Sequence, residues 1–574
     1  MKLLIRYLKP MGGFMLVNLT IKMLATLVEL VIPYILSHII DVVVPTASVI
    51  AILFWGGMMI LCAALAWIGN TTANRMAART ARNMTEKVRH DLFEKTMRMT
   101  CHASDKITIP SLESRLTSDT YNLHNFVGMM QRIGVRAPLL LVGGMIITLA
   151  LDARLALIML ATLPVMFTVV IFISKKGIPL YTGVQKKVDG MVRVVREDAQ
   201  GIRVIKALSK KDYERTRFDA ANRDLVQTEK RVGYIMSASN PIMQICLNLG
   251  LVGVVLLGAY LVDGGISEAG KIIGFQQYFT LISTAMMTMT RIFTMYSKGI
   301  ASANRIAEVL DAEDDILPHK KSDFPYVRDT SHICFDHVSF SYGKNKRTVK
   351  DVSFAIQKGQ TLGIIGATGS GKTTLIQLLM RFYDVSEGAI RIGGDDIRTI
   401  DGDTLHRKFG VALQNDFLYA DTIANNIDFG RGLSPEQIKD AAIRAQAIEF
   451  IQAFPEGFDH EITSKGTNIS GGQKQRLLIA RALAGNPEIL ILDDSSSALD
   501  YKTDLELRRA IAEIGGETTV IVVAQRISSV MNSDLILVLD EGEVIGAGTH
   551  GELLETCEIY REISESQMGG AFVE

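Results

Sequence analysis

Residues 366–374 read Gly-Ala-Thr-Gly-Ser-Gly-Lys-Thr-Thr. They follow residues 361–365, whose apolar character predicts a strand, and an apolar run that predicts a helix comes next. Strand, glycine-rich loop and helix in this order form a phosphate-binding loop, because glycines let backbone N–H groups curl around phosphate oxygens. We expect Lys372 to reach the terminal phosphates and Thr373 to offer its hydroxyl to Mg²⁺. The stretch therefore predicts an α/β nucleotide-binding domain.

Two aspartates end an apolar run farther along the chain. Residues 489–492 read Ile-Leu-Ile-Leu, a pattern typical of a buried strand, and Asp493 and Asp494 follow directly. An aspartate at the carboxyl end of a strand beside a phosphate-binding loop holds Mg²⁺, directly or through water. An ordinary strand-end aspartate is the alternative, and the loop upstream argues against it. We therefore predict that Asp493 is a magnesium residue.

The composition divides the chain into two parts. It has 574 residues, of which 48% are hydrophobic, and its formal net charge is zero. This length and apolarity exceed those of one ordinary soluble domain, and the zero net charge gives no indication of nucleic-acid binding. The five cysteines are scattered without zinc spacing and the histidines do not cluster, so no His/Cys metal site is expected. The long apolar segments all lie in the first half, which predicts a membrane domain ahead of the soluble domain.

Six segments of the first half are apolar enough to span a bilayer, which takes about 20 residues each. They lie near residues 14–44, 49–72, 134–152, 155–174, 238–262 and 271–293. The two long connections, about 73–133 and 175–237, are rich in Lys and Arg, whereas the short loop at 44–48 has neither. Because positively charged loops stay in the cytoplasm, both termini and both long loops are predicted to lie inside the cell.

The two long inner loops show helical periodicity, and each has a polar break midway, near residues 102–110 and 209–214. Two interpretations are open. The loops are either solvated helical hairpins, or stalks whose tips press on the soluble domain and transmit force. We favour the second, because solvated hairpins alone do not need such length.

Charged residues within the predicted spans include Lys22, Glu29 and Arg291. Lys22 and Glu29 are seven residues apart on the first span and therefore share a face. Glu29 is unfavourable in lipid and is expected to face the interior, Lys22 is expected to extend toward the inner surface, and Arg291 is interpreted as an interfacial anchor. Methionines and aromatic residues either line a soft cavity or pack between helices: Met286, Met287, Met289, Met295, Phe275, Tyr278, Phe279 and Phe293.

A further motif lies between the two nucleotide-binding elements. Residues 468–476 read Asn-Ile-Ser-Gly-Gly-Gln-Lys-Gln-Arg. Ser-Gly-Gly-Gln followed by a helix resembles the signature motif of the ATP-binding cassette (ABC) family, with Ile469 where leucine is usual. The resemblance covers almost the whole chain, because six spans followed by one cassette look like a half-transporter of the exporter type.

The resemblance implies roles for individual residues. Tyr342 matches the aromatic residue that stacks on adenine, and residues 497–500 match a loop that crosses the dimer interface. The expected ATP-binding residues are Tyr342, Gly366, Thr368, Gly369, Ser370, Gly371, Lys372, Thr373, Thr374, Gln414 and Asp493. The expected Mg²⁺ ligands are Thr373, Gln414 and Asp493. The signature residues, which would contact ATP bound by a second cassette at a helix N-terminus, are Ser470, Gly471, Gly472 and Gln473.

The implied fold class is a membrane α-helical domain of six transmembrane helices fused to an α/β P-loop NTPase domain. Residues 1–310 form the membrane domain, 311–330 the linker and 331–574 the nucleotide-binding domain. The implied protein is a multi-pass bacterial plasma-membrane transporter that contacts lipid, has its nucleotide-binding domain in the cytoplasm and does not bind nucleic acid. One cassette cannot build a complete ATP site, so a second half-transporter is implied as partner.

The sequence departs from the family pattern at three positions. Asp494 stands where a glutamate normally orients or deprotonates the attacking water, and a displacement of about 1 Å there lowers the rate on the order of 100-fold. Gln525 stands where a histidine normally contacts the terminal phosphate, and glutamine cannot carry a positive charge. Ser464 replaces a glutamate that is thought to interact with the coupling helices.

Two assemblies fit these departures. One is a homodimer with two slow sites. The other, which we favour, is a heterodimer in which this chain's own site is degenerate and its intact signature motif completes the partner's catalytic site. An importer with the exporter layout, a nucleotide-gated channel and a regulatory subunit are further alternatives. The transported substrate is not readable, and lipophilic drugs, lipids and peptides all stay open.

Overall fold

The computed structural model describes residues 2–568 except 315, 321, 323, 325, 327–330, 344–346, 415–416, 496–498 and 515. The chain forms two compact units. We call Met1–Met97 with Ile107–Ala312 the membrane unit, and Arg98–Lys106 with Glu313–Glu574 the ATPase unit.

The first 310 residues are helical almost throughout. The helices are α1 (Lys2–Leu8), α2 (Gly12–His38), α3 (Val49–Met97), α4 (Cys101–Ile107), α5 (Ile109–Ser114), α6 (Thr120–Leu151), α7 (Ala153–Gln200), α8 (Ile202–Ala207), α9 (Lys211–Ser237), α10 (Ser239–Asp263) and α11 (Ala269–Leu310). Five of the predicted spans lie in α3, α6, α7, α10 and α11, to within one residue, and the first begins in α2 and continues into the helical turns of residues 39–44. Among the described residues, four helical stretches have the length and apolarity to cross a membrane, namely Lys2–Thr46, Val49–Met97, Ile109–Leu151 and Pro241–Asp263, while Ala153–Val169 is shorter. The count of six spans therefore stays a prediction.

Close helix packing organises the membrane unit. α6 packs against α11, and α2 against α3. A Cβ placed on Gly143 would lie 2.7 Å from a Leu30 side-chain carbon, and one on Gly144 would lie 2.9 Å from Ile282, so glycine permits both approaches. The Tyr278 hydroxyl donates to the Leu30 carbonyl at 2.6 Å. α2, α6 and α11 thus share one interior.

The charged residues of α2 have partners on neighbouring helices. Lys22 is only 3% exposed, and its Nζ donates to Asn70 Oδ1 at 2.8 Å and Asn74 Oδ1 at 3.1 Å. Glu29 forms an ion pair with Arg136 of α6, with Nη2 to Oε1 at 2.6 Å. Glu29 faces another helix, as expected. The two asparagine partners of Lys22 were not anticipated from the sequence.

Most of the candidate cavity residues pack between helices. Phe275, Tyr278 and Phe279 are fully buried, and Met286 is 5% exposed. Met287 is exposed, and the side chain of Phe293 lies outside the described residues. For the buried members the structure favours packing over a soft cavity.

Three sheets form the framework of the ATPase unit. Its strands are β1 (Ile333–Phe340), β2 (Val349–Ile356), β3 (Thr361–Gly366), β4 (Glu387–Ile392), β5 (Asp395–Asp396), β6 (Phe409–Ala412), β7 (Asp421–Thr422), β8 (Glu461–Ile462), β9 (Ile489–Asp493), β10 (Thr519–Ala524), β11 (Leu535–Asp540) and β12 (Glu543–Gly548). The largest sheet has the order β12-β11-β3-β10-β9-β6, and the smaller sheets are β2-β1-β4-β5 and β7-β8. In the largest sheet the five strands other than β12 run parallel.

Helices connect the strands of the ATPase unit, and several of them pack on the largest sheet. They are α12 (Lys372–Leu379), α13 (Gly402–His406), α14 (Ile423–Asp428), α15 (Pro435–Arg444), α16 (Ile448–Gln452), α17 (Gly471–Leu483), α18 (Tyr501–Glu513), α19 (Ile527–Val530), α20 (His550–Thr556) and α21 (Glu558–Met568). All five residues of β9 are buried, as the continuous apolar run indicates for a central parallel strand.

The tip of the first long inner loop belongs to the ATPase unit. Residues Arg98–Lys106 cluster with it, Met99 pairs with Asp314, and the Tyr383 hydroxyl donates to Asp105 Oδ2 at 2.5 Å. The tip of the second loop, around α8, belongs to the membrane unit. For the first loop, the structure favours a tip in contact with nucleotide-binding elements over a solvated hairpin.

Candidate functional site

The sheet order brings the predicted site residues to one edge. β10 lies between β3 and β9, and all three run parallel. The phosphate loop follows β3, Asp493 ends β9, and Gln525 follows β10. Because carboxyl ends of parallel strands meet at the same edge, Gln525 lies between the loop and the two aspartates.

The phosphate loop has the backbone that its glycines allow. Gly369 has φ 86° and Gly371 has φ 101°, both in the region that disfavours other residues. A Cβ on Gly366 would lie 2.1 Å from the Leu539 carbonyl oxygen. Lys372 begins α12, and its Nζ donates to the carbonyls of Gly366 and Ala367 at 2.8 Å each, which closes the loop on itself.

The loop fits a phosphate group. Ser370 Oγ is buried and makes no hydrogen bond among the described residues, so it is an unsatisfied polar atom in the loop. A cavity of about 400 Å³ lies against Thr368, Gly369 and Ser370, with Arg347 on its wall. Burial lowers the pKa of Lys372, while Asp493 and Asp494 oppose that shift. An anion in the loop would add a negative charge close to this buried ammonium and favour its charged form.

The predicted magnesium residues meet in the structure. The Thr373 hydroxyl donates to Asp493 Oδ2 at 3.1 Å, and Asp493 is 2% exposed. Burial raises the pKa of Asp493, partly offset by the Thr373 hydrogen bond. A hydroxyl and a carboxylate are the oxygen ligands that Mg²⁺ takes beside phosphates, so these residues fit the ion.

Asp494 is held between two glutamines. Its Oδ2 accepts from Gln414 Nε2 at 3.3 Å and from Gln525 Nε2 at 3.5 Å, the long limit for hydrogen bonding. Its backbone has φ 49°, and its N–H donates to the Val523 carbonyl at 2.9 Å. Burial raises the pKa of Asp494, and Lys372 and Arg526 oppose the shift. The structure thus brings the two residues that depart from the family pattern into contact.

Gln567 is a further residue at this edge that was not found from the sequence. It lies in α21, 42 residues beyond Gln525, and its Nε2 donates to the Gln525 carbonyl at 2.9 Å. Its Oε1 accepts from the Ile527 N–H at 2.8 Å. No motif marks this glutamine, because only the docking of the last helix brings it to the loop.

Tyr342 lies in an aromatic cluster. Its ring meets those of Phe340 and Tyr383 edge-on, at centroid distances of 4.9 and 5.1 Å. Its hydroxyl donates to Gln377 Oε1 at 2.5 Å, and 43% of the residue is exposed. The cluster holds an exposed aromatic face near α12. Tyr383 links the same cluster to Asp105, and it too was missed from the sequence.

The signature motif starts a helix. Ser470 is the N-cap of α17, and its Oγ accepts from the Gln473 N–H at 3.2 Å while Gln473 Oε1 accepts from the Ser470 N–H at 2.9 Å. Within the described part of the chain, no hydrogen bond joins the motif to the phosphate loop. Of the predicted interface loop, Asp500 caps α18, whereas Ser497 and Ala498 lie outside the described residues.

Comparison with known proteins agrees with this geometry. Residues 15–286 match the ABC transporter transmembrane region, and residues 349–497 match the ABC transporter ATP-binding family. The ABC transporter ATP-binding protein YfiB of Bacillus subtilis is 33% identical over 98% of both chains. A fatty acid ABC transporter ATP-binding/permease protein of Mycobacterium bovis is 31% identical over 84% of this chain and 76% of its own length.

The fold has a solved counterpart. The structure of a bacterial Atm1-family ABC exporter with ATP bound superposes with a TM-score of 0.79, at 22% identity and over 98% of both chains. The chain therefore belongs to the ABC transporter family: it is an ATPase-coupled transporter that joins one membrane region of exporter-type fold to one ATP-binding domain.

Proposed function

We propose that this chain is one half of a heterodimeric exporter, that its own ATP site is degenerate, and that its signature motif completes the catalytic site of the partner. The observation that carries the proposal is the contact of Asp494 with two neutral amides, those of Gln414 and Gln525. A competent site needs a carboxylate that reaches the attacking water and a polar group that stabilises developing negative charge.

The residues present at positions 494 and 525 meet both requirements poorly. The Asp494 side chain is one methylene shorter than glutamate, and its carboxylate is engaged by the flanking amides. Gln525 can donate a hydrogen bond but cannot become a cation. ATP binding depends on other groups, namely the loop amides, Lys372 and the Thr373–Asp493 pair, and these are intact. The site is thus suited to bind nucleotide and to hydrolyse it slowly.

We assign Mg²⁺ to Thr373, Asp493 and Gln414. When bound, the ion would neutralise charge on the β- and γ-phosphates. Asp493 supplies a carboxylate held in place by Thr373, and Gln414 supplies an amide oxygen beside it. Lys372 would release the two loop carbonyls to bind the terminal phosphates.

The signature motif supports the partner's site. The capping box pairs two N–H groups at the N-terminus of α17, and the positive end of the helix favours an anion. If the site had lost its function through random substitutions, changes would also be expected at Lys372, Asp493 and the signature residues. The changes are found instead at positions 494 and 525. Substitutions confined to the nucleotide site on one side of the dimer interface are the pattern that an asymmetric dimer predicts.

The proposed cargo is a small or amphipathic compound moved out of a bacterial cytoplasm across the plasma membrane. The exporter-type fold supports the direction, and a relative named as a fatty acid transporter supports an amphipathic cargo. Cargo-stimulated ATPase in the assembled dimer would support a pump, whereas ion current without turnover would indicate a channel.

The double change Asp494→Glu with Gln525→His tests the degenerate site. We expect ATPase at this site to rise on the order of 100-fold, because a carboxylate at the correct reach and an imidazole are restored. The measurement is the ATPase rate of the purified chain alone and with its partner. Asp403→Glu makes the same one-methylene extension at an exposed position of α13 and should change nothing. Fast hydrolysis by the unmodified chain alone would contradict the asymmetric proposal and support the slow-site homodimer instead.

A further inference from the structure

A cavity of about 290 Å³ lies in the membrane unit between α6 and α11. Ile133, Leu140 and Leu281 contribute to an apolar wall, and Arg136 and Arg291 line the same cavity. Apolar pockets with a few convergent charged groups are typical of small-molecule sites. A cationic side chain within membrane helices is unfavourable unless it has a function, so two in one cavity point to a ligand.

We propose that this cavity binds a single-chain anionic amphiphile, with a carboxylate or phosphate head at the arginines and an acyl chain along the apolar wall. This inference rests on the proposed transport function and names the class of its substrate.

The two arginines have different roles. Glu29 binds Arg136 through two contacts, Nε to Oε2 at 3.2 Å and Nη2 to Oε1 at 2.6 Å. This pair fixes the guanidinium and leaves three of its five N–H groups for other partners. Arg291 forms no ion pair within the described part of the chain. Glu29 pairs with Arg136, so Arg291 is the charged wall residue that an anionic head group would pair with.

The remaining polar groups of the wall do not compete for the head group. Thr280, Thr284 and Thr288 line the cavity along one face of α11. Each hydroxyl donates to the carbonyl four residues earlier, at 3.0, 2.9 and 2.7 Å. A threonine hydroxyl has one hydrogen, so the arginines supply the side-chain N–H or O–H donors left in the described wall.

The cavity's size selects among anionic amphiphiles. Its volume of about 290 Å³ lies just below the range of about 300–1,000 Å³ for small-molecule sites. One acyl chain with a compact head suits this space better than a two-chain phospholipid. The apolar wall favours a ligand with an acyl chain, and the arginines favour a ligand with a negatively charged head group.

The test measures binding of radiolabelled laurate to the purified full chain in phosphatidylcholine nanodiscs, without nucleotide. We expect unlabelled laurate and dodecyl phosphate to compete, and methyl laurate, dodecyltrimethylammonium and acetate to be at least about tenfold weaker. The ratio of laurate to dodecyl phosphate affinity separates a carboxylate from a phosphate ligand. Equal competition by methyl laurate would overturn the proposal without any variant.

Variants locate the site. Arg291→Gln should weaken laurate binding at least about tenfold, and Arg291→Lys should retain most of it, because the charge is kept. Lys298→Gln removes a charge from the same helix outside the cavity and serves as control. Unchanged laurate binding in Arg291→Gln would also overturn the proposal. ATP binding is measured on the same samples: its absence would refute the proposed transporter function, whereas its presence without laurate binding would refute only the substrate class.

Discussion

At the scale of single residues, the neighbouring positions 493 and 494 have different surroundings, and our proposal gives them opposite roles. Asp493 ends a buried strand, receives a hydrogen bond from Thr373 and fits a metal ligand. Asp494 leaves the strand with φ 49°, and its carboxylate turns to Gln414 and Gln525 instead. Aspartate tolerates this left-handed backbone better than most residues. In our proposal, one step along the chain therefore separates a metal-binding carboxylate from a weakened catalytic position.

Gln567 gives a residue-scale prediction. Gln567→Ala should speed hydrogen exchange of the Ile527 amide, because that N–H loses its acceptor on α21. The expected loss is about 1 kcal/mol of local stability, and exchange measured by mass spectrometry checks it. Gln567→Glu keeps the acceptor for the Ile527 N–H but loses the donor to the Gln525 carbonyl, so it should retain only part of the protection. If the Ile527 amide is equally protected in Gln567→Ala, the glutamine does not hold the loop that carries Gln525.

At the scale of elements, a polar network joins the two larger sheets of the ATPase unit. His332 precedes β1, and its Nδ1 and Nε2 lie 2.7 Å from Thr519 Oγ1 and from Glu488 Oε1. Lys408, which precedes β6, donates to Glu488 Oε2 at 2.5 Å. Burial alone would raise the pKa of Glu488, but the hydrogen bonds from Lys408 and His332 outweigh it and hold the pKa below its usual value.

Stability of the ATPase unit should therefore depend on pH through Glu488. A depressed carboxyl pKa stabilises the fold above the unfolded-state pKa, about 4.3, and this contribution is lost as pH falls through the folded-state pKa. Glu488→Gln should lower stability at pH 7 by about 1 kcal/mol, since solvent screens a partly exposed group, and should have less effect near pH 4. Thermal unfolding at both pH values checks this. Glu513→Gln, at an exposed position of α18, is the control, and an effect of Glu488→Gln that is equal at both pH values would contradict the assignment.

At the scale of the whole molecule, the chain carries both a phosphate loop and a signature motif, and in our proposal each completes an ATP site only with a second cassette. The phosphate loop follows β3, and the signature motif heads α17 with its own capping box. No hydrogen bond connects the two within the described residues. In our proposal the signature motif acts on the partner's nucleotide, so function belongs to the dimer.

Ser470→Ala tests that assignment. In the assembled dimer we expect ATPase to fall at least about tenfold, because the signature serine completes the partner's site, while ATP binding at this chain's own loop is unchanged. Ser434 heads α15 with the same capping box, so Ser434→Ala removes an equivalent cap, worth about 1 kcal/mol, away from the motif. If the two variants had comparable ATPase rates, Ser470 would act only as the N-cap of α17.

The sequence by itself determined the chemistry of nucleotide binding. The phosphate loop and the signature motif each consist of residues a few positions apart, and the local backbone suffices to bring such residues together. Asp493 is marked locally by its place at the end of an apolar strand, although its contact with Thr373 depends on the sheet. The apolar length of the spans likewise follows from composition. The family resemblance then extended these local motifs to the expected architecture.

Only the tertiary structure decided which distant residues meet. β10 lies between β3 and β9, so Gln525 reaches Asp494; α21 docks at the same edge, so Gln567 holds the loop. In the membrane unit, Arg136 pairs with Glu29 and lines one cavity with Arg291, although Arg291 alone was interpreted as an interfacial anchor. Strand order and helix packing depend on burying apolar surface across long sequence separations, and no local pattern encodes that choice.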